Sequence, residues 1–133
     1  MHLNTDFAGD TDDAAALAML LGWSGAELLS ITKTADPDGS RAGYVHYLLG
    51  VAGRDDVPVA TGAGASLTTG GPMGKLPDHD AHWGNTVMTP TPATEGAALE
   101  LLATSIDSGT TVIAIGPTPT LPGEAGRRGR AGR

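Results

Sequence analysis

Apolar and polar positions along this chain fall into two rhythms, one helical and one extended. Ala14–Leu21 is a continuous apolar run, opened by Asp12 and Asp13 and closed by Gly22 and Gly25. Acidic residues suit a helix N-terminus, where free N–H groups and the dipole favour negative charge, and glycine suits the far end. The run is apolar on nearly every face, so the helix it predicts is buried rather than amphipathic. Met1–Asn4 leads into Asp-rich sequence as a strand leads into a loop. Glu27–Thr34 (ELLSITKT) has the β-branched content of a strand. Asp36-Pro37-Asp38-Gly39 is turn chemistry, with Ser40 placed to cap a helix over roughly 41–52. Val57–Thr61 predicts a short buried strand. Gly62–Pro92 is rich in Gly, Pro and Thr without periodicity, which predicts a long loop, and long loops in compact domains are often functional. Glu95–Ser108 returns to helical spacing, with Ala98, Leu101, Leu102 and Ile106 on one face. Thr110–Ile115 (TTVIAI) is the clearest strand, a run of the kind buried in a parallel sheet.

Strand and helix alternate, which predicts an α/β fold: a mostly parallel sheet with flanking helices around a Rossmann-like core. Residues 1–117 carry that pattern. Residues 118–133 are rich in Pro, Gly and Arg with no apolar periodicity, which predicts a disordered tail. A sheet that ends on a strand with no helix to cover it is incomplete at its C-terminal end.

Length and composition narrow the class. A chain of 133 residues allows one domain. The formal charge of −7 argues against nucleic acid or an anionic membrane as the main partner. Four of the eight basic residues (Arg127, Arg128, Arg130 and Arg133) lie in the last seven positions, so the body is more acidic still. With no cysteine there are no disulfides and no thiolate chemistry. No signal peptide and no membrane-length apolar run is evident, so a cytoplasmic location is expected.

The chemistry concentrates in Asn4-Thr-Asp6-Phe-Ala-Gly9-Asp10-Thr-Asp12-Asp13-Ala14, where four aspartates fall within eight residues between a strand and a helix. Ligands of α/β sheets bind at the carboxyl ends of strands. Packed carboxylates repel unless a cation neutralises them, and hard oxygen donors select calcium or magnesium. A solvated turn with helix caps would use the same residue types. An EF-hand is excluded by the absence of alternating ligands with a Glu at the twelfth position, and a P-loop by the absence of Gly-x-x-x-x-Gly-Lys-[Ser/Thr]. A phosphohydrolase with an Asp-x-Asp nucleophile would need Asp where Asn4 stands.

The stretch resembles the N-terminal signature of the inosine–uridine-preferring nucleoside hydrolase family, Asp-x-Asp-x-Gly-x-Asp-Asp-Ala, in its variant with a longer, Asp-containing loop. Three further segments are similar to the family in order and spacing: Glu27–Asp38, Ala52–Ala63, and Thr111–Thr118, where a strand ends in Gly-Pro. The resemblance covers residues 1–118. It implies water-driven cleavage of the N-glycosidic bond of ribonucleosides, with Ca2+ as cofactor and a small-molecule nucleoside as partner. It further implies that Asp6 and Asp13 ligate the metal with the Ile115 carbonyl and that Asp6 is the general base; Asp10, in the longer loop, either ligates the metal or hydrogen-bonds to its ligands. Asp12 would bind ribose hydroxyls, and carboxylates would stabilise an oxocarbenium-like transition state. Where the family has a ribose-contacting Asn after its second strand, Asp36 or Asp38 stands here, with a plain turn as the other reading. In the long loop, His79 and His82 lie where the family carries a ribose-contacting His, and His82, beside Trp83, is the stronger candidate. His46 is expected to be structural, and His2 carries no signal.

The sequence departs from the family at Asn4, which replaces the first Asp and removes a charge, and at Ile115, where Thr is common. Family members run to roughly twice this length as a single domain. Thr118-Pro-Thr-Leu121 starts as the family continues and then gives way to the Arg-rich end, so a truncated member is expected. A catalytically inactive fragment or a metal- or ribose-binding module is the alternative. Family members are homodimers or homotetramers, which implies a homo-oligomer.

Overall fold

A computed structural model of the chain describes residues 1–8, 11–36, 38–62, 64–65, 71, 83–84, 88–92, 94 and 96–116. Its elements run β1 (His2–Thr5), α1 (Asp12–Gly22), β2 (Ser30–Lys33), α2 (Ser40–Val51), β3 (Val59–Thr61), α3 (Ala97–Asp107) and β4 (Val112–Ala114). All strand pairs are parallel, in the order β3-β2-β1-β4. This is the mostly parallel α/β sheet with flanking helices that the alternation of elements predicts. The sequence 118–133, expected to be a disordered tail, lies outside the described residues.

Side chains alternate across a strand, so each strand serves two different neighbours. Leu3 and Ile31, partners in the β1–β2 register, point to the side where Leu17 and Leu20 of α1 and Tyr44, Val45 and Leu49 of α2 complete one apolar cluster. His2, Asn4, Ser30 and Thr32 point to the other side, against α3. There His2 Nδ1 lies 2.8 Å from Ser30 Oγ and 2.9 Å from Ser105 Oγ, and Nε2 lies 2.9 Å from Thr32 Oγ1. Asn4 Nδ2 donates to the same Thr32 hydroxyl at 2.8 Å. All four strand residues are buried.

Chain direction across the sheet reverses once. β1, β2 and β3 step outward one way, and the chain then returns past β1 to place β4 on its far side. The carboxyl ends of β1 and β4 therefore flank a topological switch point, the place in open α/β sheets where neighbouring loops diverge and leave a crevice.

Four expectations are corrected. Helix α1 is not buried all round: Asp13, Leu17 and Leu20 face inward, while Met19 is 62% exposed. A helix that covers one face of a sheet buries only one stripe, and alanines tolerate the solvent side without penalty. On α3 the buried stripe is Ala98, Leu102 and Ser105, with Ile106 51% exposed, because Ser105 turns toward His2 and Ser30. The TTVIAI strand pairs only with β1 among the described residues, so it is an edge strand with its side chains half-buried or exposed. Ser40 is the first residue of α2 rather than its cap, since the capping oxygens come from Asp36 and Asp38.

Candidate functional site

Four loops or helix starts meet at the carboxyl edge of the sheet. Strand β1 ends at Thr5, so Asp6 stands at its tip, and Phe7 N anchors the exit by donating to Thr5 Oγ1 at 3.1 Å. Ala8 follows with φ of 83°, and Ala35, at the exit of β2, has φ of 57°. Alanine in the left-handed region costs roughly 1 kcal/mol, so both sharp exits are held against local preference by the surrounding packing. Both alanines are buried.

Asp13 arrives from the first turn of α1 and is 6% exposed. Its carboxyl feels the Thr5 hydroxyl and the neighbouring Asp6. Its pKa is pushed up to about 6, first by burial and then by the negative charges of Asp6 and Asp12, with the Thr5 hydroxyl pulling the other way. Two like-charged carboxyls this close share a proton or require a cation between them. Asp12 is exposed and accepts from Asp13 N at 2.9 Å, in keeping with the acidic start of the helix.

From the other side, β4 ends at Ala114, and the next residue, Ile115, donates its N–H to the Asn4 carbonyl at 2.9 Å. Gly116 then passes so near the tip of β1 that a Cβ there would lie 2.6 Å from Asp6 N and 3.0 Å from Asp6 Oδ1. Only glycine permits that approach. Gly116 is thus the reason the β4 exit can close on the aspartate.

Two cations sit behind the carboxylates. Lys33, the last residue of β2 and the register partner of Thr5, is 0% exposed, and its Nζ donates to the Thr34 carbonyl at 2.6 Å. Burial lowers its pKa to about 8, opposed by Asp36, Asp6 and Asp13. Arg41, in the first turn of α2, is also buried, and its Nη1 donates to the Asp6 carbonyl at 3.3 Å.

The turn aspartates have definite structural partners. Asp36 is buried and accepts from Arg41 N at 3.1 Å and Ala42 N at 2.7 Å, which satisfies two first-turn amides of α2. Exposed Asp38 accepts from Ser40 N at 3.3 Å and from Ser40 Oγ at 3.1 Å, and these bonds hold its carboxyl below the usual range. Their geometry is that of helix caps. His46 is exposed on α2, whereas His2 is a fully buried member of the polar layer. Asp10, His79 and His82 lie outside the described residues. Trp83, beside them, stacks on Tyr44 with centroids 4.7 Å apart and on Phe7 at 5.8 Å.

The structure thus brings together Asp6, Asp13 and the Ile115–Gly116 exit, and sets Asp36 and Asp38 on the α2 cap. Thr5, Lys33, Arg41 and Gly116 were not singled out from sequence. A lysine closing a strand of otherwise buried character was the one available signal.

A hard cation is the group to test against this arrangement. Two neighbouring carboxyl groups, one of them raised in pKa by burial and then by the charge of the other, are donors of the right chemistry for calcium. They form part of a coordination shell: among the described residues, no group of three acidic or histidine side chains gathers. The donors present fit the ion in kind.

No family model matches the chain, and no curated protein matches it. Among solved structures, its fold is similar to that of a plant nucleoside hydrolase, the PpNRh1 enzyme, with a TM-score of 0.74 at 21% identity. The match covers 90% of this chain and 40% of that chain. At this identity the likeness establishes the nucleoside hydrolase-like fold, and the chain spans 40% of the neighbour's length. No helix among the described residues is long and apolar enough to cross a membrane.

Proposed function

We propose that this chain binds a ribonucleoside at the switch point between β1 and β4 and hydrolyses its N-glycosidic bond to ribose and free base, as the resemblance to the inosine–uridine-preferring family implies. The observation that carries the reading is the Asp6–Asp13 pair: two interacting carboxyls at the tip of β1 and the start of α1, with the β4 exit pressed against Asp6.

Asp6, the residue after the last residue of β1, would take the proton from the attacking water as general base. Asp13, anchored by Thr5, would hold calcium together with Asp6, the Ile115 carbonyl and Asp10. Bound calcium would supply positive charge and ordering to a water molecule and to ribose hydroxyls. Asp12, exposed at the start of α1, would accept hydrogen bonds from the ribose diol, and His82 would contact the sugar from the long loop. Negative charge on these side chains stabilises the oxocarbenium character that develops on the sugar as the bond breaks.

A second reading has a specific observation behind it. The chain spans 40% of the neighbouring enzyme, and no third acid or histidine joins the pair among the described residues. A calcium- and ribose-binding module without turnover would need no more than this.

Release of ribose from inosine and uridine by the purified chain, in calcium and in chelator, separates the two. Hydrolysis requires calcium-dependent release that falls by about a hundredfold or more in Asp6→Ala, the loss expected for a general base, and in Asp13→Ala. Folded protein that retains calcium and releases no ribose would leave only the binding module.

A further inference from the structure

Positive charge is scarce in this chain, which makes its placement informative. Ahead of the Arg-rich end the sequence holds only Lys33, Arg41, Arg54 and Lys75. Two of these four, Lys33 and Arg41, are buried beside the acidic pair. A buried ammonium is costly unless opposite charge lies near, so an isolated lysine at a strand end is not a packing choice.

Among the described residues, Lys33 lies at the site without forming an ion pair in it. Strand register sets it beside Thr5, and Thr5 in turn holds Asp13. Its Nζ is tied to the Thr34 carbonyl, itself at the carboxyl edge, and among the described residues no carboxylate reaches it within 4.0 Å. Asp36, Asp6 and Asp13 all act on it through space. Asp36 is meanwhile hydrogen-bonded to the α2 amides. The ammonium is therefore a fixed charge, held by backbone and packing at a short remove from two carboxyls.

We infer that Lys33 is a positioning residue of electrostatic kind: a buried positive charge behind the Asp6–Asp13 pair that weakens the site's hold on a divalent cation. The inference rests on the reading of that pair as a calcium site. Any cation entering between the carboxyls meets repulsion from Lys33, and the low dielectric of the interior transmits it with little screening by salt. Because the effect depends on charge and not on ionic radius, calcium and magnesium are weakened by a similar factor. A site so balanced exchanges its ion with solvent, and its occupancy follows the surrounding concentration.

Calorimetric titration of calcium and of magnesium alone into the full chain at pH 7 tests this, using wild type, Lys33→Met and Lys33→Arg. Methionine keeps the chain length and apolar stem while it removes the charge, and arginine keeps the charge. Lys33→Met is expected to bind both ions about tenfold more tightly, as one charge at this range implies, and Lys33→Arg to stay within about threefold of wild type, the context spread of one retained charge. Unchanged or weaker calcium affinity in folded Lys33→Met, beside measurable binding by wild type, overturns the inference alone. So does a gain confined to one of the two ions, or an equal gain in Lys33→Arg, since either points to reshaped packing. Absence of calcium binding in every variant, wild type included, overturns the calcium reading and this inference with it. If Lys33→Met does not fold, Lys33→Gln carries the same test.

Discussion

The two faces of the sheet are built on opposite principles. On the α1/α2 side, Leu3 and Ile31 meet Leu17, Leu20, Tyr44, Val45 and Leu49, a layer that is apolar apart from the Tyr44 hydroxyl. On the α3 side, the same two strands present His2, Asn4, Ser30 and Thr32, and the helix answers with Ser105 on the same stripe as Ala98 and Leu102. The first face gains by removing apolar area from water, in rough proportion to that area and with little demand on geometry. The second gains only as far as each polar atom finds a partner, because hydrogen bonds exchanged with water are worth little net and missing ones cost more. Adhesion of the helices is thus concentrated on one side, and exact register on the other.

That division predicts unequal sensitivity to truncation. Leu17→Ala removes a fully buried side chain from the apolar layer and is expected to cost about 3 kcal/mol. Ser105→Ala removes one hydroxyl from a layer in which Ser30 and His2 retain each other, and is expected to cost about 1 kcal/mol. Urea unfolding of both variants measures the difference. Equal costs would mean that the polar layer contributes as much to stability as the apolar one, against the division drawn here.

Acid separates the faces in a second way. On the polar side, burial lowers the His2 pKa from 6.5 to about 4, so the unfolded chain takes up a proton that the folded chain refuses. Stability from this residue is complete above pH 6.5 and is lost as pH falls toward 4, by up to about 3 kcal/mol below that. At the site end of α1, Asp13 rises from 3.8 to about 6 by burial and by its acidic neighbours, so there the folded chain is the one that takes up the proton. Its contribution is complete below pH 3.8 and is lost as pH rises through 6. The two slopes oppose each other across the same window. Metal-free wild type is expected to show a shallow stability profile between pH 4 and 6.5. In Asp13→Asn the profile should fall steeply on the acid side, and in His2→Gln stability should fall as pH rises instead. Identical profiles in all three proteins would remove both residues from the account.

How much of this was legible beforehand differs between the faces as well. The order of elements could be read because strands ending in Asp-rich or Gly-Pro sequence and helices of Ala and Leu carry strong local signals, and α2 and α3 lie within two residues of their expected bounds. The convergence of Asp6 and Asp13 was legible for the same reason, since a strand end and a helix start joined by one loop must lie together. The polar layer was not. His2, Ser30, Thr32 and Ser105 come from three separate elements, and each alone is an unremarked polar residue until the parallel register aligns them. Lys33 and Gly116 were hidden likewise, because one is defined by a strand pairing and the other by a close approach to Asp6. The edge position of β4 ran against its composition: a β-branched run predicts burial, while exposure depends on which strands pair with it.

The smallest expected effect is the sharpest probe of the polar face. Asn4 is fully buried, its Nδ2 donates to Thr32, and its Oδ1 accepts no hydrogen bond among the described residues. An acceptor buried without a donor carries its desolvation penalty uncompensated, while the bond on the other side of the amide returns about 1 kcal/mol. Asn4→Leu removes both while keeping the same branched side-chain skeleton, and leaves Thr32 Oγ1 with His2 Nε2 as partner. Stability is therefore expected to stay level or rise by up to about 1 kcal/mol, in contrast to Ser105→Ala on the same face. A loss of more than about 1 kcal/mol would exceed the one visible bond and would mean that the Asn4 amide is satisfied at both ends. Asn4 would then be part of a closed hydrogen-bond network. A level or raised stability would instead mark position 4 as the place where this layer tolerates an unmade bond, since a carboxylate there would carry a full charge into the same dry environment.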